Sequence, residues 1–320
     1  MDVRILGGLS VRENGVSVTP TAAAPRQLLA LLAAGADQIV PVSVLMEEVW
    51  PSGAPRGARA ELHSHILGLR SLIATALPGG RDGGRDGGRN GDGRTAETVL
   101  AAQSGGYRLD TGGGSHDVWQ FERAAGAGYR AMEAGDLPRA ALRLGEALAL
   151  WRGEPYAGVD AGPRLRAEIE RLEASRLSVL DQWVEAQLGL GRHAEMVPEL
   201  AVLAARHPVN ESLHAQFMVA LLRSGRTDDA LEAFHRLCAA LQRDGGREPS
   251  ARLRRLHRTL LTVRDTARPR VPAQAHAYAQ AAAPAHAHAL PPVHAQPHPQ
   301  TPASWSRTPR PVPSFAAASA

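Results

Sequence analysis

The stretch RGARAELHSHILGLRSLIAT, residues 56–75, decides how the whole sequence is interpreted. Apolar residues recur in it at spacings of four, three and four, which predicts an α-helix with one apolar stripe along its length. The stripe consists of Leu62, Ile66, Leu69 and Ile73. The opposite side, at 100° per residue, carries Ser64, Leu67, Gly68 and Ser71. Such a sparsely charged outer side suits a surface that meets a partner, although a poorly optimised surface helix would show the same periodicity.

Short elements precede this helix. Residues 3–19 predict two strands joined at Asn14-Gly15, a strong hairpin signal. Residues 25–35 predict a first helix, and residues 42–50 predict a second, with Ser43 as its cap and a stop before Pro51.

The segment that follows the third helix contains a polar loop and a hairpin. Residues 81–94 are rich in Arg, Asp and Gly, and we expect a flexible loop. Residues 98–103 and 107–110 then predict two strands around the turn SGG. Two strands, three helices and a closing hairpin form the plan of a winged helix, with this last hairpin as the wing.

From residue 117 onward the pattern is helical. Gly191-Arg192 and Gly225-Arg226 lie 34 residues apart, and Gly135-Asp136 precedes a similar segment. A 34-residue helix-turn-helix period is typical of tetratricopeptide repeats. The fold class expected is therefore mainly α with a small β component. Three regions are predicted: a winged helix (1–110), a repeat domain (116–264) and a disordered tail rich in Pro, Ala and His (267–320).

Composition argues against several classes of function. The chain has no P-loop, G-x-S-x-G, H-E-x-x-H or C-x-x-C motif, so we expect no enzyme, no cofactor and no metal site. The single cysteine, Cys238, is expected to be a small buried hydrophobe. The paired acids Glu47-Glu48 and Asp228-Asp229 are expected near helix starts, where they would complement the helix dipoles. Neither a secretion signal nor a membrane-spanning stretch is recognisable, which favours the cytoplasm.

Charge gives only modest support to nucleic-acid binding. The net charge of +4 is concentrated in the tail, while residues 1–110 carry 11 arginines and 11 acids. The prediction of DNA binding therefore depends on which side chains surround the third helix, since a helix fits the major groove of DNA. Arginines on the flanks of the helix would meet phosphates, and its outer side would meet bases. The residues from the helix expected at DNA are Arg56, Arg59, His63, Ser64, Leu67, Arg70 and Ser71.

The ordered set of motifs resembles a known family. GGLSVRENGVSVT, ELHSHILGLRSLI and GGYRL are similar to the OmpR/PhoB-type winged helix as found in Streptomyces antibiotic regulatory proteins. DVWQFERAAGAG, ALALWRGEPYAGV and the helices after them resemble the bacterial transcriptional activator domain that follows it there.

The resemblance implies a small, stand-alone transcriptional activator without a receiver domain. It would bind promoter direct repeats near the −35 region of an antibiotic biosynthetic cluster as a homodimer, and recruit RNA polymerase holoenzyme. It would be cytoplasmic and associated with the nucleoid. By analogy the third helix is the recognition helix, and Gly106, Tyr107 and Arg108 form the wing that meets DNA.

Two departures from the family pattern keep an alternative open. Gly68 stands where the family usually has a basic residue, and Ala102-Gln103 replaces a basic end of the wing's first strand. Together with the neutral charge of residues 1–110, these departures are compatible with a protein-interaction adaptor whose winged helix reads DNA weakly or not at all.

Overall fold

The computed structural model describes residues 1–77 and 94–267, which belong to one compact unit, Met1–Arg268. The predicted flexible loop and the predicted disordered tail lie outside the described residues, apart from Arg94 and Ala267.

The N-terminal part combines two small sheets with four helices, the fourth a single turn. Its elements are β1 (Asp2–Arg4), β2 (Ser10–Glu13), β3 (Val16–Ser17), α1 (Ala23–Ala34), β4 (Ile39–Pro41), α2 (Val42–Val49), α3 (Ala58–Ala76), α4 (Ala96–Val99), β5 (Leu100–Gln103) and β6 (Gly106–Leu109). Both sheets are antiparallel, in the orders β1-β2-β3 and β4-β6-β5. This is the predicted winged-helix plan.

Details of this part differ from the sequence-based expectation. The first sheet has three strands where two were predicted. Strands β2 and β3 are joined by the Asn14-Gly15 turn, whose residues have φ of 48° and 79°, and β1 is a separate strand before β2. Strand β4 was not predicted. Ser43 does not cap α2, because the helix begins directly after Pro41 and has no side-chain cap at that end.

The apolar stripe of α3 faces the core as predicted. Its four members are at most 2% exposed and pack with residues of α1 and of the first sheet in one hydrophobic cluster. Burial of a large aliphatic side chain contributes about 1.5–3 kcal/mol, so the stripe fixes which side of α3 faces outward.

Between residues 116 and 267 the structure has seven helices: α5 (Asp117–Glu133), α6 (Leu137–Ala149), α7 (Pro163–Gly189), α8 (His193–Arg206), α9 (Glu211–Arg223), α10 (Thr227–Arg243) and α11 (Ala251–Ala267). Three of the turns between them share one geometry. Gly135, Gly191 and Gly225 have φ between 71° and 80°, and the amide of the next residue donates to a carbonyl five residues back. This Schellman-type ending reverses the chain and explains the repeated glycine.

Helices α8 to α11, together with the C-terminal end of α7, enclose a second hydrophobic cluster. Cys238 lies at the edge of this cluster and is half-buried, not fully buried as predicted. Partial burial raises the pKa of its thiol. Asp228 and Asp229 occupy the first turn of α10 as expected. None of the described helices is both long and apolar enough to cross a membrane.

The two parts share a core and are joined by buried carboxylates. Both oxygens of Asp117 accept hydrogen bonds from the Ile5 amide at 2.9 Å. Glu48 accepts from the amides of Gly162, Arg164 and Leu165 at 2.6–3.2 Å, at the N-terminus of α7. The prediction that Glu47 and Glu48 sit near a helix start is wrong, because they end α2. Glu48 instead complements the positive end of another helix.

Candidate nucleic-acid interface

The outer face of α3, formed by Ser64, Leu67, Gly68 and Ser71, is open to solvent. Leu67 is 50% exposed, so about half of its apolar side chain is available to a partner. A methyl group added at Gly68 would have no neighbouring atom within 4 Å. The face is therefore smooth, uncharged and unobstructed within the described part of the chain, and a helix with these properties can enter a groove closely.

Two arginines beside this face are exposed. Arg56 lies in the loop that precedes α3, and Arg59 lies in the first turn of the helix. In the described residues neither guanidinium contacts a carboxylate. His63 is exposed on the same flank, whereas His65 lies 3.6 Å from the Glu61 carboxylate on the other side.

Arg70 has a different environment from Arg59. It is half-buried, and its Nε and Nη2 atoms donate to the carbonyl oxygen of Leu100 at 3.0 and 2.9 Å. The side chain thus ties α3 to the first strand of the wing, the β5–β6 hairpin. Its predicted contact with DNA stays a prediction, and its observed contacts are with the protein backbone.

The residues expected to form the DNA-facing wing mostly build its base. Gly106 is buried, and a side chain there would collide with the carbonyl oxygen of Val40 in β4. Tyr107 is half-buried, and Arg108 pairs with Asp110 at 3.1 Å. The exposed tip consists of Ala102, Gln103, Ser104 and Gly105, with φ of 81° at Gly105. Sequence reasoning missed this tip, although the SGG turn itself was the signal.

Among the described residues no group of three or more His, Cys, Asp or Glu side chains could hold a metal ion. What the geometry brings together is an exposed helix face, two available arginines on its flank, and a hairpin held to the same helix by Arg70.

Comparison with known proteins identifies the family. Residues 116–261 match the bacterial transcriptional activator domain. Over 278 residues the chain is 45% identical to the regulatory protein DnrI of Streptomyces peucetius, covering 86% of this chain and 98% of DnrI. The chain belongs to the Streptomyces antibiotic regulatory protein family. It is a transcriptional regulator of that type.

More distant relatives of this family member are longer. It is 31% identical to the regulatory protein AfsR of Streptomyces coelicolor, over 80% of this chain and 24% of AfsR. It is 30% identical to the transcriptional regulatory protein EmbR of Mycobacterium tuberculosis, over 82% of this chain and 63% of EmbR. The solved structure of EmbR with a low-affinity phosphopeptide matches with a TM-score of 0.70 and 29% identity, over 82% of this chain and 65% of that one. This likeness supports the mainly helical fold described above.

Proposed function

We propose that this regulator is a sequence-specific activator that reads promoter DNA with the outer face of α3. The observation that carries the proposal is the exposure of this uncharged face beside two arginines that no carboxylate in the described residues neutralises. The major groove is about 12 Å wide and admits a helix of this kind.

Each residue has a role that follows from its chemistry. Ser64 can donate to or accept from a base edge, and the Leu67 side chain can pack on the methyl group of a thymine. Arg56 and Arg59 would contact phosphates and set the orientation of the helix without reading sequence. The amides of Ala58, Ala60 and Glu61 already donate to the carbonyls of Pro55 and Gly57, so the helix terminus contributes little to phosphate binding.

Binding by one winged helix should be weak, because only two arginines without a carboxylate partner flank the face among the residues that the structure describes. Each phosphate neutralised contributes about −0.9 to the slope of log K against log salt, so one domain with two contacts would give a slope near −2. Two copies on direct repeats would double the slope and raise affinity through local concentration. This supports the proposal of a homodimer on repeated sites near the −35 region.

The repeat helices supply the second part of the proposed function. Helices α8 to α11 stack with the end of α7 around a second hydrophobic cluster, and stacked helical repeats of this kind present surfaces to protein partners. We assign to this region the contact with RNA polymerase holoenzyme. The likeness to DnrI and AfsR supports an antibiotic biosynthetic cluster as the regulated pathway.

Fluorescence anisotropy with labelled promoter duplexes tests this proposal. The chain is titrated against a duplex with two direct repeats, one repeat or a scrambled sequence, at several salt concentrations. We expect selective binding to the repeats, with a salt slope for two repeats about twice that for one. Equal affinity for the scrambled duplex would contradict the proposal.

Transcription assays separate the activator from the alternative adaptor. With polymerase holoenzyme and the same promoter, a variant with Arg56→Ala and Arg59→Ala should lose activation at moderate salt. Full activation by this variant would instead favour an interaction adaptor that does not depend on its own contact with DNA.

A further inference from the structure

A pocket of about 450 Å³ lies between α8, α9 and α10, away from the α3 face in sequence and in the elements that line it. Its volume is within the range of small-molecule sites. Much of its wall is alanine, including Ala204 and Ala205 on α8 and Ala233 and Ala240 on α10. Where alanines of two helices face each other, their side chains are too short to fill the space between the helices. The pocket exists because these positions are alanine.

A buried histidine lines this apolar pocket. His214 on α9 is 6% exposed, and neither ring nitrogen makes a hydrogen bond of good geometry within the described residues. Burial lowers the pKa of His214, although the carbonyls of Ala204 and His207 lie close enough to oppose that shift. A buried polar group without a good partner is rare in native proteins and calls for an explanation.

The mouth of the pocket is cationic. Arg236 and Arg243 line it from α10, and both are exposed. Arg236 pairs with Glu232 one turn earlier on the same helix. Arg243 contacts no carboxylate in the described part of the chain, and its Nε donates to the Ala239 carbonyl at 3.1 Å. At least one positive charge at the mouth is therefore not neutralised.

We infer that this pocket binds a small amphipathic anion, an aromatic or polycyclic molecule with one acidic group. The ring system would lie against the alanines and Phe217, and the acidic group would meet Arg243 and Arg236. This goes beyond promoter binding, since the activator region would carry a ligand site of its own.

The fluorescent probe 1-anilinonaphthalene-8-sulfonate has the required chemistry and tests the inference with the full chain. We expect one equivalent to bind by titration calorimetry, and binding to weaken at least about tenfold in a variant with Arg236→Gln and Arg243→Gln. Ala205→Trp, at an exposed position on the wall, should abolish binding. Arg255→Gln removes an exposed arginine of α11 outside the pocket and should leave binding unchanged.

The uncharged analogue N-phenyl-1-naphthylamine distinguishes recognition of the anionic group from nonspecific hydrophobic binding. It should bind more weakly than the sulfonate and be indifferent to the two arginine changes. Circular dichroism confirms that each variant is folded, and if Ala205→Trp is not, the two surface arginine changes decide. The inference is overturned if the sulfonate does not bind, or if its affinity in the arginine variant equals that of Arg255→Gln.

Discussion

At the scale of single residues, Arg59 and Arg70 lie on the same flank of α3 but have opposite roles. Arg59→Ala should leave the free energy of unfolding within about 0.5 kcal/mol of the parent, because its side chain is exposed. It should reduce the steepness of the salt dependence of DNA binding by about 1. Arg70→Ala removes two hydrogen bonds to Leu100 and should destabilise the fold by about 1–3 kcal/mol.

Urea unfolding and anisotropy titrations measure both quantities for the two variants. The assignment of roles fails if Arg70→Ala is as stable as Arg59→Ala, or if Arg59→Ala binds DNA with an unaltered salt slope.

Gly68 is a position where the helix can be improved without a steric penalty. A methyl group at this site meets no atom within 4 Å, and alanine is favoured over glycine in a helix interior by about 1 kcal/mol. Gly68→Ala should therefore raise the melting temperature by a few degrees in calorimetry. An unchanged or lower melting temperature would mean that the outer face of α3 is not open as described.

Helical periodicity was enough to predict that His63, Ser64 and Leu67 point outward, because the stripe beginning at Leu62 determines the orientation of every residue on the helix. It was not enough for Arg70. Its partner, the carbonyl of Leu100, is positioned by the folding of the wing, and a helical wheel carries no information about a strand thirty residues away.

At the scale of elements, Glu48 is the point where α2 meets α7. Its carboxylate is buried and accepts three amide hydrogen bonds at the N-terminus of α7, while the neighbouring Glu47 pairs with Arg164 on the surface. Glu48→Gln should lower the free energy of unfolding by about 1–3 kcal/mol, because an amide offers a single accepting oxygen and no charge.

Glu47→Gln is the matched control for this change and should cost less than about 1 kcal/mol, since surface ion pairs contribute little. Urea unfolding followed by circular dichroism measures both. Equal effects of the two variants would show that the junction does not depend on the buried carboxylate.

Some elements could be predicted from the sequence and others could not. Long helices such as α3 and α10 have clear apolar periods, and the repeated glycines mark their turns. Strand β4 has three residues, too few to show a period, and it forms because β6 offers it a partner. The role of Glu48 depends on residues 162–165, more than a hundred positions away, so it could not be read from local pattern.

At the scale of the whole molecule, the winged helix and the first repeat helices share one hydrophobic cluster, with residues from Met1 to Ala186. Buried carboxylates at Glu48 and Asp117 add hydrogen bonds across the same junction. The sequence correctly predicted the kind and order of the two parts. The extent of their shared core was not predictable, because it is formed by side chains from both parts. The periodicity of each segment shows which residues are buried but not which other segment they pack against.

The most direct test of the central claim, that the outer face of α3 reads DNA, compares Leu67→Glu with Leu142→Glu by anisotropy titration on the repeat duplex. Leu67 and Leu142 are 50% and 59% exposed, so both changes should leave the fold intact. Leu67→Glu places an anion against the groove and should weaken selective binding at least about tenfold, while Leu142→Glu on α6 should bind like the parent. Parent-like affinity of Leu67→Glu, or an equal loss in both variants, would contradict the account.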